Sequence, residues 1–102
     1  MIKVLVKRNN KQIKEIIISG HAMYDTLGKD IVCAAVSSIA ITTINAILSL
    51  EDTISYKEDE GLLKINMIKD TEINEKLISN LLRMLNELSN QYPKNIEIRN
   101  ED

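Results

Sequence analysis

The residues best suited to chemistry lie between Gly20 and Cys33, a segment that holds the single histidine and the single cysteine of the chain. His21 follows a predicted strand, and Cys33 lies in the predicted first turn of an apolar helix. A thiolate can attack a carbonyl carbon, and an imidazole can take the thiol proton and return it to a leaving amine. A helix start favours the thiolate, because its free N–H groups and dipole stabilise negative charge. The pair therefore predicts a site for nucleophilic catalysis.

Each of these residues also has an ordinary structural explanation. A lone cysteine on an apolar helix often packs in a core, and a lone histidine at a strand end is often a surface residue. Asp30 can steer His21 or a substrate amide, or it can simply cap the helix. Ser37, one helical turn after Cys33, can support the site or bond back to a backbone carbonyl. Spacing alone leaves these alternatives open.

The elements that must position these residues follow from hydrophobic spacing, which predicts the order β-β-α-β-β-α. The strands are predicted at Ile2 to Lys7, Gln12 to Ser19, Thr53 to Lys57 and Leu62 to Ile68. The helices are predicted from Ile31 to about Leu50 and after the N-cap Thr71. Tight turns are expected at Asn9-Asn10 and Glu58 to Gly61, and Asn95 to Arg99 can add a short C-terminal edge strand. Residues 1–102 are therefore predicted to form a single two-layer α+β domain.

A loop without periodicity connects the first hairpin to the first helix. Gly20 and Gly28 bracket this loop, and Asp30 is the predicted N-cap of the helix that follows. Glycine gives such a loop the freedom to fold back, so that His21 reaches Cys33. The free N–H groups at the helix start could then hold an oxyanion.

Composition excludes several classes of function. Thirteen basic and fifteen acidic residues give a net charge of −2, which argues against binding naked nucleic acid. One cysteine allows no internal disulfide, and one cysteine with one histidine is too few for structural zinc, so no metal or cofactor is predicted. The N-terminal sequence lacks the pattern of a secretory signal, which predicts a cytoplasmic location. Ile31 to Leu50 has no charge and is long enough for a membrane span, but polar residues interrupt it, so a buried helix is expected instead.

Two blocks of sequence resemble a known family. Gly20 to Ala22 and Gly28 to Ser37, at this separation, closely resemble the signature of the bacterial ribosomal-processing cysteine proteases, the Prp family. The length, the order of elements and the Tyr92-Pro93 step after the last helix also fit. The resemblance therefore covers essentially the whole chain.

The resemblance implies an activity and roles for individual residues. Family members remove a short N-terminal extension from a large-subunit ribosomal protein, number twenty-seven in bacterial nomenclature. Cys33 then corresponds to the nucleophile and His21 to the general base, with Gly20, Asp30 and Ser37 around the site. The resemblance also implies a homodimer and a mobile loop at Ala22 to Lys29, in which Gly28 would allow closure over a peptide.

Two other functions remain open from the sequence. The chain could be a non-catalytic ribosome-assembly module that binds the same ribosomal protein, in which case Cys33→Ala would be silent. It could also carry a redox-sensing thiol, although the sequence offers no second cysteine to resolve a sulfenic acid. Basic residues crowd the first hairpin, and acidic residues crowd the second at Glu51, Asp52 and Glu58 to Glu60. The acidic residues would attract a basic protein or simply be solvated.

Overall fold

Five strands and two helices make up the fold. The computed structural model describes residues 1–20 and 27–102, with the side chains of all of these except residues 27–30. The elements are β1 (Ile2–Asn9), β2 (Gln12–Ser19), α1 (Leu27–Leu50), β3 (Ile54–Asp59), β4 (Leu62–Met67), α2 (Glu72–Gln91) and β5 (Ile96–Glu101). The predicted β-β-α-β-β-α order and the additional C-terminal strand are confirmed.

The strands form one mixed sheet in the order β3-β4-β2-β1-β5. β1 pairs antiparallel with β2, β2 with β4, and β4 with β3, whereas β5 runs parallel to β1 at the opposite edge. The first turn lies at Asn10 and Lys11, which have φ values of 54° and 70°. It is therefore one residue later than predicted, because two consecutive positive φ values are what a tight hairpin turn requires.

Both helices cover the same face of the sheet. Alternation places Val4 and Val6 of β1 opposite Ile18 and Ile16 of β2, and all four are fully buried. The helices contribute the other half of this aliphatic cluster, chiefly through Val32, Val36, Ala40, Ile44, Ile47, Ile78, Leu81 and Leu85. A polar stripe on the opposite side of α1, formed by Ser38, Thr42, Asn45 and Ser49, is exposed.

A buried polar network joins α1, β3 and α2 at one end of the molecule. Asn74 is 3% exposed and Thr53 is 5% exposed, and Thr53 Oγ1 lies 2.8 Å from Asn74 Oδ1. The Asn74 amide nitrogen donates to the carbonyls of Lys69 at 2.8 Å and Thr53 at 3.2 Å. Thr71 is the N-cap of α2, as predicted, and accepts from Asn74 N at 3.1 Å. The network satisfies polar groups that would be costly to bury unpaired.

Glu51 makes this network sensitive to pH. Hydrogen bonds from Thr53, at 2.6 Å, and from Thr71 lower the pKa of Glu51 below its ordinary value, with a smaller contribution from the charge of Lys69. The Glu51 carboxylate therefore takes up a proton at a higher pH in the unfolded chain than in the folded chain. The stabilisation by Glu51 is present above the unfolded pKa and is lost as pH falls through the folded pKa.

We expect Glu51→Gln to flatten the acid dependence of stability. Urea unfolding of the wild type should lose part of its free energy between about pH 5 and pH 3, and the variant should lose less. Glu58→Gln, on the exposed strand β3, is the matched control for the removal of one charge. Parallel pH curves for the wild type and Glu51→Gln would contradict the role assigned to this carboxylate.

Candidate active site

The direction of α1 places Cys33 at a defined end of the sheet. β2 ends at Ser19, and α1 begins at Leu27 after a short connection. β3 runs parallel to β2, since each pairs antiparallel with β4, and its start at Ile54 follows closely on the end of α1. α1 therefore runs from the end of the sheet at which β2 finishes, here named the Gly20 end, to the opposite end.

Cys33 and Ser37 lie on one face of α1. Residues four apart on a helix are neighbours on its surface, and both side chains are partly buried. Cys33 also packs against the hydrophobic core. The thiol is thus held by a rigid helix while part of it stays accessible, which a nucleophile requires and a purely packing thiol does not.

The start of α1 corrects three expectations, one each for Asp30, Gly28 and Cys33. α1 begins at Leu27 rather than Ile31, so Asp30 is its fourth residue and not its N-cap, and Gly28 lies inside the helix rather than in a loop. Cys33 is the seventh residue and lies in the second turn, not the first. Its own N–H lies beyond the four that a helix start leaves free. The dipole falls off within one turn, so it favours a thiolate at Cys33 less than expected.

Gly20 lies where β2 leaves the sheet, immediately before His21. Its φ is +79°, a conformation that side chains rarely allow, and a Cβ at this position would lie 2.7 Å from Met1 O. Its N–H donates to Gly61 O at 2.8 Å, one residue beyond the last β2–β4 pair. The sequence pointed to Gly20 but gave no signal for Met1 or Gly61. The predicted base His21, and the first part of the predicted mobile loop from Ala22 to Thr26, lie outside the described residues.

Two depressions formed by described residues lie away from Cys33. One, of about 250 Å³, is lined by Arg8, Lys11, Asp70 and Asn74 at the end of the sheet opposite Gly20. The other, of about 520 Å³, lies over Leu5 and Ile17 on the sheet face that carries no helix. Across residues 1–20 and 27–102, no three histidine, cysteine or acidic side chains meet in a group that could hold a metal ion.

α1 is long and apolar enough to cross a membrane by length and composition, over Ile31–Leu50, where mean hydropathy reaches 2.1. A core helix of a soluble protein has the same properties. Here 33% of this segment is buried inside the fold, including Val36, Ala40 and Ile47.

Comparison with known proteins places this architecture in a family. The family model for the cysteine protease Prp matches residues 1–97. The ribosomal processing cysteine protease Prp of Staphylococcus aureus (strain NCTC 8325 / PS 47) is 30% identical over 104 residues, which cover 96% of this chain and 97% of that one. The protein of the same name from Mycoplasma genitalium is 30% identical, with 99% and 97% covered.

Solved structures of the S. aureus protease have the same fold. Its complex with a substrate peptide matches with a TM-score of 0.85, and its complex with a covalently linked product peptide matches with a TM-score of 0.89. Each is 25% identical and covers 99% of this chain and 100% of the other. The family model and these relatives match nearly the whole chain, and its single cysteine lies on α1 at one end of the sheet. This protein therefore belongs to the Prp family and is a cysteine protease.

Proposed function

We propose that the protein is an endopeptidase that removes the N-terminal extension of a large-subunit ribosomal protein, number twenty-seven in bacterial nomenclature, in the cytoplasm. The relatives named above are ribosomal processing proteases, and they match the chain nearly end to end. The observation that carries the proposal is the related structure with a covalently linked product peptide, at a TM-score of 0.89. A covalently held product is what nucleophilic peptide cleavage leaves behind.

Cys33 and His21 divide the chemistry between them. The Cys33 thiolate attacks the scissile carbonyl carbon and forms a thioester with the N-terminal product. His21, as imidazolium, gives its proton to the departing amine, and then accepts a proton from the water that hydrolyses the thioester. Because Cys33 lies past the helix start, the imidazole carries more of the thiol activation than the helix dipole does.

The remaining predicted residues support this pair. Gly20 sets the backbone from which His21 departs, since its φ and its contact with Met1 O leave no room for a side chain. Ser37 lies beside Cys33 on the same face of α1. Asp30 and Gly28 lie in the first turn of α1, on the N-terminal side of Cys33. The side chain of a helical residue such as Cys33 leans toward the N-terminus of its helix. We assign all four to lining or shaping the substrate path.

Charge favours a basic partner at this end of the molecule. The β3–β4 turn, with Glu58, Asp59 and Glu60, lies at the Gly20 end, whereas the basic tip of the first hairpin lies at the other. An acidic rim raises the local concentration of a basic chain and speeds encounter, an effect that salt weakens. The same distribution disfavours naked nucleic acid as a ligand near Cys33.

The direct test of the substrate uses the purified precursor of the ribosomal protein. Wild-type protein should release one N-terminal segment, detected by intact mass, after bulky apolar residues and before a small one. Replacement of those bulky residues by alanine should slow cleavage, because each loses about 1.5–3 kcal/mol of burial. A precursor that is bound by the wild type but never cut would instead favour the assembly-module alternative.

We also propose that the protein forms a homodimer through the outer face of α1. Ile31 and Leu50 are 62% and 63% exposed, and the uncharged segment of α1 between them is only partly covered. Exposed apolar surface of this kind is typical of interfaces. Two copies that bury the same face satisfy the symmetry of a closed dimer.

The dimer has a simple measurement. Light scattering should give twice the 11.6 kDa chain mass at micromolar concentration, without detergent. Thr42→Lys, on the exposed face of α1, should shift the protein toward the monomer, because it places a charge in an uncharged interface. Ser79→Lys, exposed on α2, is the matched control. A monomeric wild type would contradict the interface.

A further inference from the structure

Gly61 lies outside the two sequence blocks that resemble the family signature, but it contacts Gly20, which lies in the first of them. Gly61, in the β3–β4 turn, has a φ of +70°, and its carbonyl accepts the Gly20 N–H at 2.8 Å. The preceding pair, Ser19 with Leu62, is the last of the β2–β4 ladder. The Gly61 carbonyl thus extends the ladder by one bond, to the residue that precedes His21.

The backbone of Gly20 is fixed from both sides. On one side the Gly61 carbonyl accepts its N–H, and on the other the Met1 carbonyl lies so close that a Cβ would be 2.7 Å away. These contacts set the plane of the peptide from which the chain leaves the sheet toward His21. The orientation of the Gly61 carbonyl depends in turn on its positive φ.

No steric demand explains the glycine at position 61. A Cβ built there would meet nothing within 4 Å. The glycine is therefore required for its backbone conformation and for the direction of its carbonyl, because positive φ is costly for most side chains and least costly for glycine and asparagine. A side chain that disfavours positive φ at this position therefore changes the direction of the carbonyl without filling any cavity.

We propose that Gly61 is a positioning residue for the proteolytic reaction, because its hydrogen bond fixes Gly20, the residue that precedes the proposed base His21 in the sequence. This inference rests on the proposed role of His21 as the base. It assigns to the β3–β4 turn, distant in sequence from both reacting residues, a part in the alignment of the imidazole with the thiol. Misalignment of reacting groups by about 1 Å can cost about a hundredfold in rate.

The test compares substitutions that differ in backbone preference. Gly61→Val disfavours positive φ and should lower kcat for peptide cleavage about a hundredfold with little change in KM, because alignment rather than binding is lost. Gly61→Asn tolerates positive φ and should retain activity within a few-fold of the wild type. Lys11→Val is the matched control, since Lys11 has a φ of 70° in the hairpin turn at the opposite end of the sheet. It should strain a turn in the same way, though less strongly because Lys11 already carries a Cβ, and leave kcat unchanged.

A second readout separates alignment from folding. The rate of alkylation by iodoacetamide against pH reports whether an imidazole activates the Cys33 thiol. Gly61→Val should move this profile toward that of a free thiol peptide, as His21→Ala should, while Gly61→Asn and Lys11→Val should match the wild type. If thermal unfolding shows that Gly61→Val is not folded, Gly61→Ala replaces it as the milder change.

The outcomes distinguish the two levels of the proposal. A shifted profile in His21→Ala together with a normal profile and normal kcat in folded Gly61→Val would overturn the role of Gly61 and leave the proposed chemistry intact. A normal profile and normal cleavage in His21→Ala would overturn His21 as the base, and the positioning role with it. Equal losses of kcat in Gly61→Val and Lys11→Val would show that the loss comes from general destabilisation and that Gly61 has no positioning role.

Discussion

Replacement of Cys33 by alanine should abolish peptide cleavage while the fold is retained. The side chain is only partly buried, and losing one sulfur atom from such a position should cost about 1 kcal/mol of stability. The activity, by contrast, should fall by at least about a thousandfold, because no thioester can form without the nucleophile. Thermal unfolding and steady-state cleavage of a peptide substrate measure the two effects separately.

The control for Cys33→Ala lies on the same helix. Ser49, near the end of α1, is exposed and donates to Ala46 O at 2.7 Å, so Ser49→Ala also removes one small polar group. It should leave cleavage unchanged. Cleavage by Cys33→Ala at the rate of the wild type would show that another residue attacks the peptide. A similar loss in both variants would attribute the effect to the helix rather than to the thiol.

Gly20→Ala should have the second largest effect, and on both stability and activity. Alanine at a φ of +79° costs about 1–2 kcal/mol, and its Cβ would lie 2.7 Å from Met1 O, so the strand end must move. That movement displaces the peptide that carries His21. We expect a lower melting temperature and a loss of kcat larger than the loss of stability explains.

Gly61→Ala is the matched control for the stability of Gly20→Ala. Its φ of +70° imposes a similar conformational cost, but a Cβ there has no neighbour within 4 Å. The difference in unfolding free energy between the two variants therefore isolates the contact with Met1 O. Equal melting temperatures would contradict the steric role given to that carbonyl, and unchanged cleavage by Gly20→Ala would contradict its role in placing His21.

The strands were predictable because their periodicity is simple. Alternation of Ile2, Val4 and Val6 with Lys3, Leu5 and Lys7 predicts β1, and the β-branched run in β2 predicts its partner. The first turn lies at Asn10 and Lys11, one residue after the predicted Asn9-Asn10. The difference arises because lysine rarely occupies positive φ. Sequence preferences alone do not place a lysine there.

The start of α1 was predicted four residues too late for a physical reason. An aspartate is favourable both as an N-cap and within the first helical turn, where it interacts with the dipole. Asp30 therefore indicates a helix start nearby without fixing the residue. Gly28 added to the error, since glycine costs about 1 kcal/mol inside a helix and normally marks its boundary. α1 nonetheless includes Gly28.

Contacts between residues far apart in the sequence could not be predicted, because they depend on how the strands and helices pack. Asn74 appears in the polar part of the α2 pattern, yet it is buried because Thr53 and Lys69 offer partners across the fold. Gly61 likewise reads as an ordinary turn glycine, and only the β2–β4 register brings its carbonyl to Gly20. The resemblance points to Cys33 and His21 as the reacting residues, and the structure adds the contacts of Gly20, which precedes His21 in the sequence.

The most direct test of the account is to trap the intermediate on Cys33. The ribosomal protein precursor would be mixed with the wild-type protein, quenched in acid within the first turnover, and analysed by intact mass and peptide fragmentation. The account predicts a species heavier by the N-terminal product, attached at Cys33 as a thioester that hydroxylamine releases, and no such species in Cys33→Ala. An adduct at another residue, or product formation by Cys33→Ala, would contradict it.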